Sequence, residues 1–67
     1  MRKFKLLKDI PMVSSQIFYF DDETGNVWGE EKGGINEYPL RTGLAGYLWL
    51  LLTEKGYFRR IKGSKEI

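Results

Sequence analysis

Residues 42–56, TGLAGYLWLLLTEKG, constrain the fold more than any other part of the chain. They hold its longest apolar run, 48–52, with Leu44, Ala45 and Tyr47 just before it. Thr42 is placed to act as an N-cap, its hydroxyl accepting from an otherwise unpaired N–H of the first turn. Gly56 stands where a residue closing a helix takes positive φ, which glycine does without steric cost. Lys55 falls where a cation suits the negative end of the helix dipole. Between these ends only Gly43 and Gly46 weaken the helix, and both lie early in it. The pattern predicts one helix.

That helix is more apolar than one buried face requires. Leu44, Tyr47, Leu48, Leu51 and Lys55 share a stripe at the i, i+3, i+4, i+7 spacing, and Ala45, Trp49 and Leu52 form a second stripe roughly 100° round. The remaining strip carries Gly46, Leu50 and Thr53, so even the expected solvent side has a leucine. A sheet curling round the helix would shelter most of this surface. If Trp49 or Leu50 stays outside, it marks a contact with another chain. A membrane span is not expected, since a bilayer core needs about 20 such residues.

Sixty-seven residues make one domain, 1–67, with 63–67 expected as a frayed tail. There is no cysteine and no histidine. A disulfide framework is therefore excluded, as is any thiolate or imidazole metal site, and no cofactor is expected. The aromatic residues, 15% of the chain, are the expected source of the core. The opening MRKFKLLKDIP is basic and then apolar, but Lys5, Lys8 and Asp9 interrupt it, so it makes no signal-peptide core. With the lack of cysteine, cytoplasmic residence is the default expectation. Net charge is only +2, yet it is segregated. Arg2, Lys3, Lys5 and Lys8 against Asp9 leave 1–13 at +3; six acids against Lys32 leave 14–40 at −5; six cations against Glu54 and Glu66 leave 41–67 at +4.

RKFKLLK (2–8) alternates as a strand should, Phe4 and Leu6 on one side and Lys3 and Lys5 on the other. Pro11 ends it. QIFYF (16–20) reads as a second strand, apolar on both faces and suited to a central position. DDETGN (21–26) reads as a turn, and a third strand starts at Val27 and Trp28. The acidic run does not fit a calcium loop, which needs Gly at its sixth position and Glu at its twelfth. Gly29, Gly33 and Gly34 match no phosphate-cradling spacing. The 29–40 segment reads as a mobile loop anchored by Ile35, Tyr38 and Leu40. YFRRIK (57–62) reads as a last strand. The expected fold is α+β: a small antiparallel sheet of about four strands in β-β-β-α-β order, with one apolar helix packed on one face. A last strand returning beside the first would group Lys3, Lys5, Arg59, Arg60 and Lys62 near one sheet edge. Charged edges also discourage edge-to-edge association.

Leu6-Leu7-Lys8-Asp9-Ile10-Pro11, followed by Val13 and Ile17-Phe18, resembles the opening of small uncharacterised phage and prophage proteins. Tyr57-Phe58, two polar residues and Ile61 resemble their closing aromatic strand. The chain departs from them at Ser15, where a glycine is expected, and in the long apolar helix. The resemblance implies a phage-type origin and carries no catalytic residues.

Catalysis is not expected. The usual general base and the best nucleophile are both missing, and Ser14, Ser15 and Ser64 have no evident activating partner. The leading expectation is a protein-binding module: a phage-encoded effector or inhibitor of a host protein, or a self-associating subunit. Its candidate contact residues are Trp49 and Leu50, then Trp28 and Tyr38, because aromatic and apolar anchors supply most interface energy. The alternative is nucleic-acid binding, with Lys3, Lys5, Arg59, Arg60 and Lys62 on phosphates and Tyr57 or Phe58 stacking on a base. A minor third reading has Asp21, Asp22, Glu23, Glu30 and Glu31 mimic nucleic-acid charge toward a basic protein.

Overall fold

A computed structural model of the chain describes residues 1–11 and 13–61. Lys62 and the expected tail at 63–67 lie outside them. The elements run β1 (Arg2–Leu6), β2 (Ile17–Phe20), β3 (Val27–Glu31), β4 (Gly34–Ile35), α1 (Thr42–Leu52) and β5 (Phe58–Arg60). The class is α+β. The strands form one antiparallel sheet in the order β4-β3-β2-β1-β5, with β2 central and β5 returning beside β1.

Alternation sorts the side chains by face. Phe4 and Leu6, Phe18 and Phe20, and Val27 point to one side, where they meet Ala45, Leu48 and Leu51 of α1 in a single buried cluster. Ile10, from the β1–β2 connection, completes it. No polar residue is buried there. Phe20 is the hub: its ring meets Phe4, Trp49 and Phe58 edge-on, with centroids 5.4, 5.0 and 5.7 Å away. Such arrangements match the positive edge of one ring to the negative face of another.

The DDETGN turn is held by its own first residue. The Asp21 carboxylate accepts from the Glu23 N–H (3.1 Å) and the Thr24 hydroxyl (2.9 Å), and Gly25 takes φ +81°. Arg2 reaches across with a two-pronged ion pair to Asp22, at 3.1 and 2.6 Å.

The structure departs from the sequence reading in four places. The 29–40 segment contains a fifth strand: Glu31 pairs with Gly34 and Glu30 with Ile35, across a two-residue turn in which Lys32 (φ 43°) and Gly33 (φ 85°) are both left-handed. Of the three expected anchors only Leu40 packs on the core; Ile35 and Tyr38 are exposed. The N-cap is Arg41, with no side-chain cap bond, and Thr42 is the first helical residue. The helix ends at Leu52, so Lys55 lies beyond its last turn, while Gly56 adopts φ +92° in the connection to β5.

Candidate functional site

Among the described residues no element packs on two surfaces: the outer side of α1, and the side of the sheet opposite α1. Of the four residues expected to bind protein, Leu50 is 59% exposed and Tyr38 74%. Trp49 is half-buried and engaged within the chain. Its ring packs on Phe20, and its indole N–H donates to the Gly25 carbonyl at 2.9 Å, tying α1 to the β2–β3 turn. The Arg2 guanidinium lies 5.9 Å from the same ring. Trp28 is the cross-strand partner of Tyr19, on the sheet face away from α1. The fold thus separates Trp28 from Leu50 and gives Trp49 a structural role. Leu50 instead neighbours Tyr47, 39% exposed, which the stripe pattern had placed inward. Gly43 and Gly46 lie on the same outer side, with open space where a Cβ would stand. No residue of α1 is charged. A shallow depression of about 380 Å³ beside it is lined by Arg41, Gly43, Leu44 and Tyr47.

The second face collects part of the expected basic group. Lys5 is the direct partner of Arg59, and Lys3 that of Tyr19, so Lys3, Lys5 and Arg59 share the side facing away from α1. Arg60 pairs with Phe4 and so belongs to the opposite side of the exposed edge strand. Tyr57 is half-buried at the margin of the core, with the Lys8 ammonium 4.8 Å from its ring centroid. Phe58 packs on the core and is not available for stacking. Tyr19, which sequence reasoning did not single out, lies in the middle of this face. Its hydroxyl donates to Glu30 Oε1 at 2.6 Å, and the Lys3 ammonium lies 5.4 Å from its ring centroid. Burial, then the bond to Glu30 and the charge of that carboxylate, raise the Tyr19 pKa above its ordinary value, against an opposing pull from Lys3. The Phe/Tyr alternation of β2 carried the signal: Phe18 and Phe20 face the core, and hydroxyl-bearing Tyr19 faces out.

Ser14 and Ser15 line a depression with Gln16, Glu30, Glu31 and Lys32. Among the described residues neither serine hydroxyl is hydrogen-bonded to a base, and no group of acidic residues is arranged to hold a metal ion. No helix among them is long and apolar enough to cross a membrane. Compared with known proteins, the chain matches no family model, no curated protein and no solved structure.

Proposed function

We propose that this chain is a small, non-enzymatic protein-binding module that docks through the outer side of α1. The observation that carries the reading is the exposure of Leu50 (59%) and Tyr47 (39%) on a helix with no charged residue from Thr42 to Leu52. A solvent-facing helix side is ordinarily polar. Here glycines alternate with large apolar residues, so protruding Tyr47 and Leu50 stand next to the notches at Gly43 and Gly46. Notches beside protruding side chains would let two such helices approach closely, which makes a second copy of this chain the first occupant to test. An effector of another protein, of the phage type suggested by the 6–11 motif, would use the same surface.

The size of the surface sets the expected strength. Eleven residues at about 1.5 Å each make a helix roughly 16 Å long. One side of it covers well under the roughly 800 Å² per partner of a standard stable interface. The association is therefore weak and concentration-dependent. Sedimentation equilibrium over a concentration series, repeated with Leu50→Asp, tests it. The expected result is a reversible dimer that Leu50→Asp abolishes while far-UV circular dichroism stays unchanged. If the wild type is monomeric throughout, and nuclease-treated host lysate yields no protein whose capture depends on Leu50, the reading is wrong.

A further inference from the structure

The side of the sheet facing away from α1 carries an unfavourable arrangement of charge. Lys5 and Arg59 are direct cross-strand partners, and Lys3 follows two residues along β1 on the same side. Like charges directly opposite each other weaken an antiparallel pair. Among the described residues neither Lys5 nor Arg59 has an ion-pair partner; the one salt bridge joins Arg2 and Asp22. The carboxylate on this face, Glu30, accepts from the Tyr19 hydroxyl and lies on β3, across β2 from the cations. Next to the cations runs a row of flat side chains, with Tyr19 opposite Lys3 and Trp28 opposite Tyr19. On this face Lys5, Tyr19 and Trp28 are half-buried and Arg59 is exposed, while the fully buried side chains belong to the core on the other side.

We propose that this face binds single-stranded nucleic acid, with phosphates against Lys5 and Arg59 and a base stacked on Trp28. An anion between Lys5 and Arg59 turns a repulsive pair into a clamp. Aromatic faces beside a basic track are what an unpaired strand recognises, since every base presents a flat π surface. A duplex keeps its bases stacked inside and offers Trp28 nothing. An acidic peptide matches the cations and leaves the rings unused. From β5 to β3 is three strand spacings, about 14 Å, so the face takes only a few nucleotides. The inference stands apart from the α1 reading, because it uses the other side of the molecule.

The test is fluorescence anisotropy with a labelled oligothymidine and oligouridine, against an abasic strand of equal length, a duplex and an oligoglutamate peptide. The single strands should bind most tightly. With two phosphates engaged, affinity should fall roughly sevenfold between about 50 and 200 mM salt. Trp28→Leu should weaken the oligonucleotides about tenfold, within the range for one stacked base, and leave the abasic strand unchanged. Arg59→Gln, at an exposed edge position, should weaken all strands severalfold and flatten the salt dependence. Stacking is also read in the unaltered protein, as quenching of tryptophan emission by oligonucleotides and not by the abasic strand. No binding at low salt overturns the proposal. So does equal binding of the abasic strand without quenching, or a preference for the duplex or the peptide.

Discussion

Trp49 illustrates how a single side chain changes meaning once its neighbours are known. On a helical wheel it is a large apolar residue on a crowded perimeter, which suggests an anchor for a partner. In the fold its N–H meets the Gly25 carbonyl and its ring meets Phe20, so part of its surface is engaged within the chain and the rest faces solvent. Tyr19 makes a different kind of prediction. Its proton is held more tightly in the folded state than at the ordinary value of 10.0. The stability this contributes is intact below the unfolded value and is lost as pH rises through the folded one. In a spectrophotometric titration one of the four tyrosines should ionise later than the others. Glu30→Gln should bring that late ionisation down; a titration unchanged by the substitution would refute the assignment. Gly29 yields a steric prediction. A Cβ there would sit 2.7 Å from Ser15 Oγ and 3.2 Å from Ser15 Cβ. Gly29→Ala should therefore destabilise by about 1–3 kcal/mol, the range for overpacking, and Ser15→Gly in the same chain should recover most of it. Urea unfolding midpoints of the two variants decide the point.

The helix was legible because an uncharged run of eleven residues between a threonine and a distal glycine has few other uses. Its ends were less so. Thr53 turns its hydroxyl back to the Leu50 carbonyl at 2.7 Å, and tight backbone bonds from Thr53 and Glu54 to Leu50 and Leu51 close the last turn before Gly56 is reached. β4 was missed for a conformational reason: two-residue hairpin turns of this kind are announced by Asn-Gly or Asp-Gly, and here a lysine occupies the first left-handed position. Of the second uncovered face, the alternation in β1 and β2 showed which side chains point together. The confrontation of Lys5 with Arg59 depends on register between strands at opposite ends of the chain, which no local pattern encodes. For α1 itself, Gly46→Ala separates stability from association. Open space surrounds the site of the new methyl, and replacing glycine inside a helix by alanine contributes about 0.8–1 kcal/mol. The thermal midpoint should rise while the proposed dimerisation through that notch weakens. A variant that melts higher and associates as before would argue against close approach at Gly46.

Across the whole molecule the topology converts order along the chain into a gradient of charge. β1 to β4 lie side by side in sequence order, and only β5 crosses back. The basic first and last segments therefore end up adjacent, and the acidic middle of the chain extends from β2 toward the far edge. The uncharged helix sits across the other side of the sheet. A concentrated sulfate salt strengthens contacts between greasy surfaces, whereas added ions of any kind release a polyanion from lysine and arginine. If both proposed surfaces bind, one sulfate salt would press two copies of α1 together while stripping a nucleic acid strand from behind them, so that the choice of salt selects between the two sides.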